Sequence, residues 1–188
     1  MNDFLAIALR KDIHRIINAL TNTREKILAN LMKDVRNDYD YIVIDCMPSL
    51  GMITINALTA ADSVIIPVQA QFLPAKGMTQ LMRSIDMVRN HTNDKLKIDG
   101  VLMTLVDYRT NLAKEVIDTI RTKYGMQIRI CDAQIPVAVK AAEASKAGQS
   151  IFEYDKDSKP AKAYEALTKE VIRIGERERH RDEASISR

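Results

Sequence analysis

Four short apolar runs rich in Val and Ile alternate with stretches of helical periodicity, and this alternation constrains the fold more than any other feature of the chain. The runs are YIVID (41–45), SVIIPV (63–68), IDGVLMTLV (98–106) and IRICDAQIP (128–136). Continuous runs rich in Val and Ile, without strict alternation of apolar and polar residues, are typical of strands covered on both faces, as in a parallel sheet. The stretches between and after them predict helices at about 52–60, 75–90, 111–124 and 138–147. The sequence therefore predicts an α/β fold with a mostly parallel sheet and flanking helices.

The two ends of the chain differ from this central pattern. Apolar residues at helical spacing over 4–20, and again up to about residue 36, predict a helical hairpin. Pro160 suits the first turn of a last helix. The residues after Ile174 mix both signs of charge without an apolar stripe, so we expect them to be disordered. We therefore predict a helical hairpin over 1–37, one α/β domain over 38–175 and a charged tail over 176–188.

The composition excludes several classes of protein. No apolar run approaches the roughly 20 residues that cross a membrane, and the first residues make a poor signal peptide. Cys46 and Cys131 form no closely spaced pair, which favours a reducing compartment and hence the cytoplasm. The three histidines are too scattered to suggest a metal site. A net charge of +3 permits nucleic-acid binding without requiring it.

The carboxyl ends of the predicted strands are the expected location of a ligand site, since α/β sheets bind ligands at that edge. Asp45 ends the first run and precedes a Pro-Ser-Leu-Gly turn. A carboxylate in this position can hold a magnesium ion next to a phosphate, directly or through water. An Asp that only caps the turn or the following helix remains the alternative.

Two further loops at this edge contain polar and charged residues. After the third run come Asp107, Arg109 and Asn111, of which Asn111 is most simply a helix N-cap. Arg109 either pairs with Asp107 or faces a partner. After the fourth run, Lys140 and Lys146 flank Glu143, and residues 109–146 hold seven Lys or Arg against four Asp or Glu. This excess indicates either a weakly basic binding face or an ordinary solvated helix.

The stretch YDYIVIDCMPSLGMITINALTAADSVIIPVQAQ resembles ParA-type partition ATPases, the Soj-like branch of the MinD/ParA group. That family has a Walker B region of the form hhhhDCPPSLG, followed by T-x-N-A-L-x-A-A-D and P-V-Q. The similarity continues through GVLMTLVDYRTNLAKEV and IPVAVKAAEASKAGQSIFEYD, and it covers about residues 38–174. Several ordered motifs at the family's spacing make chance agreement improbable.

The resemblance implies a P-loop NTPase fold that binds ATP and magnesium, dimerises around ATP and binds DNA without sequence specificity. It also implies a ParB-type centromere-binding partner. By motif, Asp45 corresponds to the Walker B acid and metal ligand. The 107–111 loop, with Asp107 and Asn111, and Pro136 correspond to residues near the nucleotide. Lys140 takes the place of a family Arg linked to DNA binding, with Lys146 and Arg109 as further candidates.

The sequence also departs from the family. Met47 replaces the first Pro of the PPS motif, and IPVA replaces IPRN. No glycine precedes Gly51, although a phosphate loop needs glycines so that its backbone amides can surround the phosphates.

We therefore expect the C-terminal portion of a ParA-type ATPase, a truncated P-loop fold unable to hydrolyse ATP alone. The alternative is a non-catalytic protein that binds DNA or an intact ParA-like chain. Because the family's P-loop strand lies beside the Walker B strand, its absence predicts unpaired strand edges and an oligomer or a rearranged sheet.

Overall fold

The computed structural model describes residues 4–8, 24–46, 51–71 and 75–186. The five strands are β1 (Phe4–Ala8), β2 (Tyr41–Asp45), β3 (Ser63–Gln69), β4 (Lys97–Val106) and β5 (Ile130–Pro136). A short 3-10 turn, Arg24–Lys26, leads into the first of seven described helices. These are α1 (Ile27–Met32), α2 (Met52–Ala60), α3 (Ala75–His91), α4 (Asn111–Tyr124), α5 (Val139–Ala147), α6 (Ile151–Asp155) and α7 (Lys159–Ile186). The four predicted strands and the helices between and after them are confirmed, most within two residues at each end.

The chain forms two compact units, where the sequence predicted one domain over 38–175. The first comprises Met1–Val64 with Ala75–Lys97, and the second comprises Ile65–Pro74 with Ile98–Arg188. The described strands form two sheets, β1–β2 and β3–β4–β5. Both β1–β2 and β4–β5 are parallel pairs, which confirms the α/β class with parallel strands.

In the first unit, β1 pairs in parallel with β2, with Phe4 opposite Tyr41 and Ala8 opposite Asp45. The prediction of a helix from residue 4 is therefore wrong at Phe4–Ala8, while residues 9–23 lie outside the described part. Five consecutive apolar residues fit a buried strand as well as a helix face, and pairing with β2 decides between them. The second half of the predicted hairpin is helical, but α1 is only six residues long.

Asn56 connects helix α2 to the chain at the start of helix α1. Its side chain is fully buried. The amide Nδ2 donates to the carbonyls of Arg24 and Met52, at 2.5 and 3.1 Å, and Oδ1 accepts from the backbone N–H of Leu28 at 3.2 Å. The amide thus satisfies backbone groups at the start of α1, where a helix leaves N–H groups without partners. An apolar cluster of Leu28, Ile53 and Ala57 packs beside it.

The second unit is built on β3–β4–β5 with helices α4 and α7. Helix α4 buries one face at helical spacing, through Ala113, Val116, Ile117, Ile120 and Tyr124. Leu102, Cys131 and Ile135 form an apolar cluster against which Ala163 and Leu167 of α7 pack. Burial raises the pKa of the Cys131 thiol to about 11, so this cysteine is protonated at neutral pH.

A buried carboxylate fixes α7 to β5. The side chain of Glu170 is only 4% exposed. It accepts from the Arg129 guanidinium at 2.5 Å and from the backbone N–H groups of Asp132 and Ala133 at 3.2 and 3.1 Å. A buried charge needs such partners, because an unpaired one costs several kcal/mol.

Helix α7 continues to Ile186, so the predicted disordered tail is wrong as far as that residue. The part of α7 after Ile174 is rich in Glu and Arg, which favour a helix even without an apolar stripe. Opposite charges also recur three or four residues apart along it. Within the described residues, no helix combines the length and apolar character needed to cross a membrane.

We predict that Glu170→Gln lowers the free energy of unfolding by about 1–3 kcal/mol, since the amide cannot accept three hydrogen bonds and leaves Arg129 with only the exposed Asp132 carboxylate, 3.7 Å away, as its countercharge. Urea unfolding followed by circular dichroism measures the change. Glu165→Gln is the matched control on the same helix: Glu165 pairs with Lys169 at 2.6 Å in an exposed position. Its loss should cost less than about 0.5 kcal/mol. Equal effects of the two substitutions would contradict the role given to Glu170.

Candidate functional site

Asp45 is the last residue of β2, and its side chain is exposed. The following residue, Cys46, is half-buried, and its thiol pKa is raised by burial and then by the Asp45 charge. Residues 47–50, where the sequence predicted a turn, lie outside the described part of the chain. No group of three His, Cys, Asp or Glu side chains suited to a metal occurs in the described part of the chain. Magnesium commonly uses one or two carboxylates together with phosphate oxygens, so Asp45 fits as one ligand of a nucleotide-bound ion.

In the second unit, a β-bulge precedes the loop that starts at Asp107. The register of β4 against β5 shifts between Met103 and Val106, and Leu105 has a φ of 50°. Non-glycine residues rarely adopt this left-handed conformation, which often occurs at bulges beside functional loops. The bulge redirects the end of β4 immediately before Asp107.

Asp107 and Arg109 form a two-point ion pair within this loop. The guanidinium donates through Nε to Oδ1 and through an Nη to Oδ2, both at 2.8 Å, and the backbone N–H of Arg109 donates to Oδ1 at 3.1 Å. The side-chain bonds from Arg109, followed by the backbone bond, lower the pKa of Asp107 to about 2. This decides the alternative that the sequence left open: Arg109 pairs with Asp107, although its own side chain is 87% exposed.

Thr110, rather than Asn111, caps helix α4. The Thr110 hydroxyl accepts from the backbone N–H of Ala113 at 3.2 Å, so the N-cap predicted at Asn111 is wrong by one residue. Thr is also a favoured N-cap residue, although less so than Asn, and the sequence pattern does not distinguish adjacent candidates reliably. Asn111 is the first residue of α4, and its side chain is exposed.

The structure brings three of the predicted site residues to one cavity of about 630 Å³ in the second unit. They are Asp107, Arg109 and Pro136, and the carboxyl ends of β4 and β5 place them there. Asn111 does not line it. The other lining residues are Val106, Tyr108, Gln134, Val137, Val139, Lys159 and Ala163. Gln134 and Lys159 are polar members that the sequence analysis missed, because neither belongs to a motif at a strand end.

Lys140 and Lys146 both lie on helix α5, which ends at Gly148 in the left-handed conformation with φ 67°. The Lys140 ammonium lies 3.7 Å from Glu143 Oε2 and 5.5 Å from the centre of the Tyr154 ring. Lys146 is exposed in the last turn and has no ion pair within the described residues. The residues predicted to contact DNA are therefore accessible, but Arg109 and Lys140 already have acidic neighbours.

Comparison with known proteins identifies relatives that match most of the chain. A family model described as AAA domain matches residues 7–98. The sporulation initiation inhibitor protein Soj of Bacillus subtilis is 44% identical over 155 residues, covering 82% of this chain and 60% of Soj. The chromosome partitioning protein ParA of Myxococcus xanthus is 38% identical over 152 residues, covering 81% of this chain and 53% of ParA.

Solved structures with the same fold include nucleotide complexes. Cobyrinic acid a,c-diamide synthase from Mycobacterium smegmatis has a TM-score of 0.67 and 32% identity, covering 81% of this chain and 56% of that one. The same enzyme with a bound ATP analog and magnesium has a TM-score of 0.60 and 31% identity, with 72% and 59% covered. The cell division ATPase MinD of Pyrococcus furiosus, at 20% identity, has a TM-score of 0.62, with 80% and 59% covered, and supports the fold alone.

The parallel α/β fold and these matches define a protein of the MinD/ParA class of P-loop ATPases. Within that class, the chain belongs to the ParA/Soj family of partition ATPases. It spans 60% and 53% of the length of the two curated relatives described above.

We predict that Arg109→Ala returns the pKa of Asp107 from about 2 toward its ordinary value of 3.8. Because the folded-state pKa is lowered, the stabilisation from this pair is fully present above the ordinary value and is lost as the pH falls through about 2. Carboxyl-carbon NMR between pH 5 and 3 should show Asp107 still ionised in the wild type and titrating in the variant. Lys114→Ala, which removes an exposed cation of α4, is the control. A pKa unchanged by Arg109→Ala would contradict the assignment.

Proposed function

We propose that this chain, a portion of a ParA-type partition protein, binds DNA through cations of its second unit and does not hydrolyse ATP by itself. The observation that carries the proposal is the 44% identity to Soj over 155 residues, which includes the strand-end motifs. The name of the Myxococcus xanthus relative gives chromosome partitioning as its biological process, and DNA is the partner that such a process requires.

The nucleotide-related residues form an incomplete set. In the first unit, Asp45 would supply a carboxylate for a magnesium ion. In the second unit, Asp107 and Pro136 line the cavity that we propose for a nucleoside, and Asn111 begins the helix that follows the Asp107 loop. A bound magnesium ion would neutralise phosphate charge. The sequence contains no glycine-rich loop to bind the phosphates, since its first glycine is Gly51. Without those backbone amides and the accompanying Lys, the transferring phosphate lacks its main electrostatic stabilisation, so we expect no turnover.

The DNA contact is proposed on helix α5. Lys140, Glu143 and Lys146 follow one another at intervals of three residues and lie within an arc of about 120° on the helix surface. All three side chains are exposed. Two ammonium groups on one arc suit the phosphates of a duplex, which carry no sequence information. Arg109 would contribute only after leaving Asp107.

A second ParA-like chain is the proposed protein partner, alongside a ParB-type centromere-binding protein. Val43, in the middle of β2, is 54% exposed, and β1 is the single strand that pairs with β2 in the described part of the chain. A strand at the edge of a sheet can accept a further strand from another chain. This feature supports the alternative of a non-catalytic protein that associates with itself or with an intact relative.

We predict that Lys140→Ala with Lys146→Ala weakens binding to a short duplex about tenfold or more at 0.1 M salt and makes the salt dependence shallower. Each lysine that contacts a phosphate contributes a slope of about 0.9 in log affinity against log salt. Fluorescence anisotropy with labelled duplexes of two unrelated sequences measures both quantities.

The paired substitution Lys169→Ala with Lys162→Ala on α7 controls for net charge. Equal weakening by the two pairs would show a diffuse charge effect rather than a site on α5. No detectable affinity of the wild type at 20 mM salt would overturn the proposed DNA contact altogether.

A further inference from the structure

The Lys140 ammonium is held by two other side chains of its own unit. Glu143, one helical turn along α5, places Oε2 3.7 Å from Nζ, and the ring of Tyr154 lies 5.5 Å from it. An ammonium near the face of a phenol ring is attracted by the ring quadrupole. Tyr154 also donates its hydroxyl to Glu143 Oε2 at 3.2 Å, so the carboxylate is fixed in turn. The three side chains form a closed cluster, which we call the α5–α6 cluster.

The position of Tyr154 is set by the backbone that joins α5 to α6. Gly148, in the left-handed conformation, ends α5 and turns the chain. Ser150 and Glu153 then form a reciprocal capping box at the start of α6: the Ser150 hydroxyl accepts from Phe152 N–H at 3.2 Å, and Glu153 Oε2 accepts from Ser150 N–H at 3.1 Å. This turn directs α6 so that its fourth residue, Tyr154, lies beside Lys140 and Glu143.

We infer that Glu143 competes with DNA phosphate for Lys140 and so limits the DNA affinity of this chain. The inference rests on the proposed DNA contact and adds a residue that controls it. A phosphate that binds Lys140 meets the like charge of a carboxylate that Tyr154 holds 3.7 Å from the ammonium. Both charged side chains are about half exposed, at 53% for Lys140 and 44% for Glu143, so the competition is weak enough for DNA to win.

The test is a double-mutant cycle on DNA affinity with the full chain. Glu143→Gln keeps the shape and the acceptor for Tyr154 but removes the charge. We expect it to tighten binding to a duplex about two- to fivefold at 0.1 M salt. Lys140→Ala should abolish most of that gain, because the substitution removes the group for which Glu143 competes. Tyr154→Phe, which retains the ring but releases the carboxylate, should give a smaller gain that is also lost with Lys140→Ala.

Glu165→Gln is the matched control, because it removes the same charge from an exposed helical ion pair, with Lys169. Three results separate the two claims. A gain from Glu143→Gln that persists fully with Lys140→Ala, or that Glu165→Gln reproduces, overturns the competition while leaving the DNA contact intact. Unchanged affinity in both Glu143→Gln and Tyr154→Phe overturns it as well. Affinity that does not depend on Lys140 and Lys146 overturns the proposed DNA contact and, with it, this inference.

Discussion

The second unit depends on one buried carboxylate, Glu170, which links helix α7 to the backbone of β5. Helix α7 supplies Lys159 and Ala163 to the cavity, so the shape of that cavity follows from how α7 is docked. The first unit uses a neutral counterpart: Asn56 satisfies three backbone groups and fixes α2 against the start of α1. In both cases, a buried polar side chain is tolerated because its hydrogen bonds are satisfied, and a mismatched replacement would leave backbone groups unpaired. The conformation of each unit is thereby specified more sharply than apolar packing alone would do.

Most of the fold could be predicted because its central signals are local. The Val- and Ile-rich runs and the helices between them needed only periodicity, and α2 and α4 match the predicted ranges 52–60 and 111–124. Phe4–Ala8 was wrongly assigned to a helix, since five consecutive apolar residues have no period of their own and their conformation depends on a partner strand 37 residues away. The end of α7 was not predicted because a helix was expected to need an apolar stripe. In this segment, helix propensity and pairing of opposite charges are sufficient.

The candidate site was predictable as far as topology determines it. Asp107 and Pro136 converge because parallel strands end at the same edge, which is a property of the sheet and not of either motif. The pairing of Arg109 with Asp107 was one of two alternatives, since the spacing permits the pair but does not require it. Contacts that cross between elements left no sequence signal. Tyr154 reaches Lys140 through a turn at Gly148 whose direction cannot be read from residue order.

The family relationship, together with a sequence whose first glycine is Gly51, motivates the proposed function, which is a DNA contact without ATP turnover. The account therefore separates DNA binding from ATP hydrolysis, two activities that the resemblance to ParA-type ATPases would otherwise join. Phosphate release from magnesium-ATP by the purified chain, with duplex DNA present, tests this claim most directly. The account predicts no turnover above background for the wild type or for Asp45→Ala. A wild-type rate that Asp45→Ala abolishes would contradict it.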